Sequence, residues 1–261
     1  PAPLPQAGEG SSCSTASKVR RPEVETKPFF LYMAYTIPHG NYEVPSDAPY
    51  SDKPWSAKLK NYAAMVTRLD GDVGRIMALL AKLDIDRRTI VFFTSDNGAA
   101  FVEPTFNSSG RLRGQKRDMY EGGIRVPMIV RRPGRVKPGS SSDQVWAFWD
   151  FLPTCAELAG AELPKDIDGI SMLPAILDKP QQSHEFLYWE FFERGFQQAV
   201  RHGDFKAIRP ALGKPLQLYN LAEDPSESQN VAAEHPEEVA RIEAYLKTAR
   251  SESENWPLPK K

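Results

Sequence analysis

"TIVFFTSDNGAA", residues 89–100, decides how the chain is to be read. Five residues with strong strand preference, Thr89 to Phe93, run into Thr94, Ser95, Asp96 and Asn97 and stop at Gly98. An unbroken run of β-branched and aromatic side chains suits a strand buried on both faces. Such strands belong to open α/β sheets, where the ligand crevice lies beyond the carboxyl ends of the strands. Asp96 and Asn97 fall at that end. Their side-chain oxygens suit a hard cation, calcium or magnesium. The plainer alternative is a turn, because Asn-Gly is a favoured turn pair and an Asp before it can cap its own backbone.

Working outward, "PFFLYMAY" (28–35) is a second continuous apolar run and reads as a strand covered on both faces. Between the two, apolar residues fall at Leu59, Tyr62, Val66, Leu69, Val73, Ile76, Leu80 and Leu83, in steps of three and four. That is one face of a helix. A coiled coil is the alternative, but a stripe this short that feeds directly into a strand suits packing on a sheet. "IRVPMIV" (124–130) reads as a third strand. Strand, helix, strand implies parallel pairing through a crossover.

From about residue 180 the pattern shortens. "EFLYWEFF", "FQQAVR", "FKAIR" and "LQLYNL", with turns such as "RHGD" between them, read as an antiparallel meander. A last helix is expected from Pro236, with Glu237 and Glu238 in its first turn and Val239, Ile242 and Leu246 on one face. The expected organisation is therefore a Pro-, Ala-, Gly- and Ser-rich segment over 1–26 with little to bury, an α/β domain over 27–179, and an α+β subdomain over 180–261.

At 261 residues there is ample chain for a large core, and 41% hydrophobic with 26% charged content is that of an ordinary globular protein. A formal net charge of -1 argues against a dedicated nucleic-acid binder. No stretch is apolar for long enough to span a bilayer. No basic-then-apolar segment opens the sequence, so a secretory signal is expected to be absent or already removed. Cys13 and Cys155 form neither a disulfide framework nor a zinc spacing, so compartment is not read from them.

Two more clusters carry chemistry. "AYTIPHG" sets His39 just past the end of the 28–35 run; alone, a histidine is as readily a surface or hydrogen-bonded structural residue. "GRLRGQKRDMYEGG" gathers Arg111, Arg113, Lys116 and Arg117 within seven residues. Cations in a Gly-rich loop suit a phosphate or sulfate, since they neutralise it while the backbone offers N–H donors. A solvated basic loop is the alternative, and the lack of interleaved aromatics weighs against a polynucleotide.

These blocks, taken in order, carry a family resemblance. "LYMAYTIPHG", "NYAAMVTRLDGDVGRIMALL", "TIVFFTSDNG", "LRGQKRDMYEGGIRVPMIVRRPG", "DFLPTCAELAGA", "DGISMLP" and "LYNLAEDPSESQN" resemble successive blocks of the sulfatases, in the alkaline-phosphatase-like superfamily. The resemblance covers about residues 27–235, and an ordered run of blocks is far more specific than one motif.

It implies a mostly parallel sheet flanked by helices, with a smaller C-terminal subdomain of antiparallel meander plus helix. It also implies hydrolysis of an aryl or carbohydrate sulfate ester, with calcium and formylglycine as cofactors and a sulfated small molecule or glycan as partner. Asp96 and Asn97 match a strand-end pair of calcium ligands. Lys116 matches the lysine on a sulfate oxygen, and His39 the histidine that faces the ester oxygen and serves the leaving group. Glu121, Gly122, Gly123 and Arg125 match a block that shapes the Lys116 loop. Arg113 is carried as a further substrate contact on charge alone. The family points to a periplasmic or secreted setting.

The resemblance has a gap. Sulfatases draw formylglycine from a Cys or Ser in a Cys/Ser-x-Pro/Ala-Ser-Arg motif, and its activated diol is the nucleophile. Cys13 is followed by Ser14-Thr15-Ala16, which does not fit. Ser14 to Lys18 mimics the serine form with Lys for Arg, but in a Ser-rich tract and with only nine residues between Lys18 and Pro28, so the match is read as coincidence. The expectation is a chain that carries the C-terminal portion of a sulfatase. A phosphate or phosphonate ester hydrolase of the same superfamily, or an inactive sulfatase fragment, is the alternative.

Overall fold

Sheet formation depends on a strand finding a neighbour, and the computed structural model separates the runs that find one from the run that does not. The structure describes residues 27–100, 104–193 and 195–259. The chain divides into two units, Pro1–Thr36 and Ile37–Lys261. The expectations for 1–26, with Cys13 and Ser14, lie outside the described residues.

Residues 28–35 form no strand, and Phe29, Phe30, Leu31 and Tyr32 are 59–80% exposed. This corrects the reading of a strand covered on both faces. A backbone ladder needs a partner with open donors and acceptors, and among the described residues none pairs with this run.

The expected helix forms, with Leu59 and Leu80 of its stripe buried and Val66 and Leu83 exposed. α1 spans Ala57–Lys82, and the Ser56 side chain accepts from Leu59 N at 3.3 Å as its N-cap. Its end is a Schellman turn built on Asp84, which takes φ 57° while Ile85 N donates to Leu80 O.

β1 (Val91–Thr94) pairs antiparallel with β2 (Met128–Arg131), which sets Phe93 opposite Ile129. No parallel strand pair forms among the described residues, so the expected crossover pairing is not made there. One face of this two-stranded sheet packs on α3 (Phe151–Ala159) through an edge-on contact of Phe92 with Phe151. The other face is open, with Ile129 58% exposed. Between β1 and β2 lies the one-turn helix α2 (Glu121–Ile124); beyond α3 comes the equally short α4 (Leu173–Ile176).

The C-terminal half matches its pattern closely. β3 (Leu187–Phe191), β4 (Gln197–His202), β5 (Phe205–Arg209) and β6 (Gln217–Asn220) form an antiparallel meander in that order. Gly203, at φ 55°, opens the two-residue turn between β4 and β5, a position that requires positive φ. With a side-chain period of two, Val200, Ala207 and Leu218 face one way, onto Ile242 of α5 (Pro236–Tyr245). Ala199, Ile208 and Tyr219 face the other way, onto Met119, Tyr120 and Ile124. The sheet is thus filled on both faces, and its second face is what holds the segment around α2.

Candidate functional site

The site is built from three glycines that let backbones touch. Past β1 the chain bends, with Ser95 Oγ donating to Asn97 O at 3.0 Å and Asn97 Nδ2 donating to Gly98 O at 3.0 Å. Gly98 N then donates to Gly123 O at 2.9 Å. A Cβ on Gly98 would lie 1.9 Å from Gly122 O, so no other residue fits that approach without a backbone shift. Gly122 N donates to Arg113 O at 2.7 Å, and a Cβ there would meet Gly114 O at 2.3 Å. Gly123 is equally confined, with Asp118 O 2.1 Å from the Cβ position. Lys116 N closes the lock by donating to Ala99 O at 2.9 Å.

The turn bearing Asp96 and Asn97 and the loop bearing Lys116 are therefore knitted through main-chain hydrogen bonds. Asp96 is exposed, and Asn97 and Lys116 are partly buried. His39 lies exposed between two turns, and no hydrogen bond or ion pair among the described residues ties it to the other three.

The four cations of the loop divide. Arg113 lies over the Tyr120 ring, 3.8 Å from its centre, and donates to Glu227 O at 2.7 Å. Arg117, at φ 81°, forms a bidentate pair with Glu193. Both guanidinium groups are committed to partners within the chain. Among the described residues the side chains of Lys116 and Arg111 enter no ion pair.

Behind the loop is a buried cluster that sequence reasoning missed. Lys206 Nζ donates to Glu121 Oε1 at 2.9 Å and lies 2.9 Å from Glu227 Oε1 in an ion pair that lacks hydrogen-bond alignment. Glu227 Oε2 accepts from Glu121 N at 2.7 Å. Burial pushes the Glu227 carboxyl above its usual range, and Lys206 works against that shift. The signal was present in "FKAIR": Lys206 shares parity with Ile208 and so points to a core face. Burial also raises the Tyr219 phenol, to about 12, so it stays a neutral donor beside Arg113.

Among the described residues no group of three or more His, Cys, Asp or Glu gathers as a metal site. Asp96 and Asn97 are the right donors in kind, yet calcium takes about six to eight oxygens. They fit as part of a shell. Cys155 is partly buried in α3, and burial raises its thiol pKa, the reverse of what an activated nucleophile needs. No helix among the described residues is long and apolar enough to cross a membrane.

Comparison with known proteins bears on the family and the fold. The sulfatase family model matches residues 15–161, and a model described as N-sulphoglucosamine sulphohydrolase, C-terminal, matches 114–254. N-acetylgalactosamine-6-sulfatase of Canis lupus familiaris is 32% identical over 92% of this chain and 46% of its own length. An uncharacterized sulfatase of Escherichia coli, YdeN, is 30% identical over 88% of this chain and 48% of its own. The chain spans about half the length of the curated relatives it matches. Among solved structures, Ps i-CgsB in complex with k-i-k-neocarrahexaose superposes with a TM-score of 0.76 at 28% identity, over 85% of this chain and 50% of that one. The architecture is accordingly alkaline-phosphatase-like α/β with an antiparallel C-terminal subdomain, and this chain belongs to the sulfatase family.

Proposed function

We propose that this chain supplies part of the active site of an enzyme that hydrolyses sulfate esters, with a sulfated glycan or small molecule as substrate. The observation that carries the reading is the main-chain lock that seats Lys116 beside the Asp96–Asn97 turn. In this reading the Lys116 ammonium holds a sulfate oxygen and offsets charge that grows there as the S–O bond breaks. His39 faces the ester oxygen and protonates the departing alcohol. Asp96 and Asn97 are oxygen ligands for part of a calcium shell, with magnesium the weaker candidate. When bound, the metal supplies positive charge that draws the sulfate in, and formylglycine supplies the nucleophile, for which the described residues carry no fitting precursor. Arg113 is left out of the substrate contacts, because its guanidinium is engaged by the Glu227 carbonyl and the Tyr120 ring.

The test is a side-by-side assay of aryl sulfate and aryl phosphate, with the chain co-expressed with an amino-terminal sulfatase fragment. Preference for sulfate supports the reading. Preference for phosphate would move it to the phosphate or phosphonate ester hydrolases of the superfamily.

A further inference from the structure

The Lys206 cluster is a poor source of stability. The side chains of Lys206 and Glu227 are fully buried and that of Glu121 nearly so. Two carboxylates face one ammonium, with Arg125 only at the rim, 3.7 Å from Glu121. Desolvating such a group costs about as much as its Coulomb attraction returns, and apolar residues of the same volume often do as well or better. Glu227 also holds φ 52°, a left-handed conformation uncommon outside glycine. What the cluster fixes is therefore more informative than what it stabilises.

It fixes Glu121. Lys206 grips its side chain and Glu227 its backbone N–H. The next two residues make the contacts that knit the candidate site: Gly122 N to Arg113 O, and Gly123 O from Gly98 N. Arg113 is held from the same source, since it donates to the Glu227 carbonyl. From β5 to the Asp96–Asn97 turn the connection is continuous and passes through one helical turn.

We propose that Lys206 and Glu227 are positioning residues for the anion loop: by gripping Glu121 they hold the Lys116 segment and the Asp96–Asn97 turn in mutual register. They touch no reacting atom. The functional meaning rests on the reading of Lys116 as a sulfate-binding group, but the grip itself does not.

The two parts separate in one experiment on the full 261-residue chain, hydrogen exchange read peptide by peptide with and without inorganic sulfate. The variants are Lys206→Met and Glu227→Met, which removes the acceptor for the Glu121 N–H, with Ile242→Val on the opposite sheet face as a control for general destabilisation. The Gly98 and Lys116 amides, whose hydrogen bonds form the lock, are expected to exchange roughly tenfold faster or more in both positioning variants, while β4 and α5 change by less than about twofold. Ile242→Val is expected to loosen α5 without singling out Gly98 and Lys116. Uniform acceleration along the chain, or none at Gly98 and Lys116, would overturn the proposal. If Lys206→Met does not fold, Glu227→Met, which leaves Lys206 paired with Glu121, decides alone. Sulfate is expected to protect the Lys116 peptide in the parent chain and to lose that effect in the positioning variants. No protection in the parent chain would overturn the sulfate reading of Lys116, and the exchange difference without sulfate would still decide the grip.

Discussion

At the scale of single residues, Gly98 carries the tightest approach among the described glycines, with a Cβ position 1.9 Å from a carbonyl oxygen. Backbone lies on both sides, so neither can turn away as a side chain would. Gly98→Ala is expected to cost about 1–3 kcal/mol, the usual range for overpacking; urea unfolding measures it, and an unchanged midpoint would mean that the turn is not held against Gly122. Glu227 gives a prediction in pH. Its folded-state pKa is raised, so its contribution to stability is complete below the unfolded carboxylate range near ~4.3 and declines as pH rises through the folded value. Unfolding from pH 4 upward should therefore show a falling component that Glu227→Gln lacks; a component that rises with pH would show that Lys206 outweighs burial. The strand end that bears Asp96 and Asn97 and the Gly-rich loop that bears Lys116 were legible because their sequence signals are local. Lys206 and Glu227 were not, because their partners lie 85 and 106 residues away and only the folded register joins them.

At the scale of elements, periodicity did well where packing is local. The steps of three and four gave α1, and the period of two with "RHGD" gave the meander whose faces hold Ile242 and Met119. The continuous run at 28–35 misled for a physical reason: such a run states that both faces want cover, not which strand provides it. The same shortage marks α1. Its 26 residues extend about 39 Å, whereas four-residue strands reach about 13 Å, and Val66 and Leu83 stay 42% and 56% exposed. Open apolar faces and strand edges recruit other chains. The isolated chain is expected to self-associate in size-exclusion chromatography. Ile129→Lys should reduce that while shifting stability by no more than about 0.5 kcal/mol, and an unaltered elution profile would place the sticky surface elsewhere. Phe92→Ala, which removes the contact with Phe151, should instead destabilise by about 2 kcal/mol or more.

At the scale of the whole molecule, two packed surfaces meet around α2: the meander, through Met119, Tyr120 and Ile124, and the Asp96–Asn97 turn, through Gly122 and Gly123. The C-terminal half thereby bears on the geometry of the site although none of its residues was expected there. The described residues hold Lys116 in its Gly-rich loop, the side-chain oxygens of Asp96 and Asn97, and His39, and the one cysteine among them, Cys155, has its thiol pKa raised by burial. The isolated chain is accordingly expected to show no aryl-sulfate turnover, and no tight calcium site in calorimetry, given two ligands where about six to eight are needed. The most direct measurement of the central claim is aryl-sulfate hydrolysis by the chain combined with an amino-terminal sulfatase fragment in calcium, comparing the parent with Lys116→Ala. The expected result is turnover whose kcat falls roughly 10²–10³-fold in the variant; turnover indifferent to Lys116, or a change confined to KM, would contradict its place at the reacting sulfate.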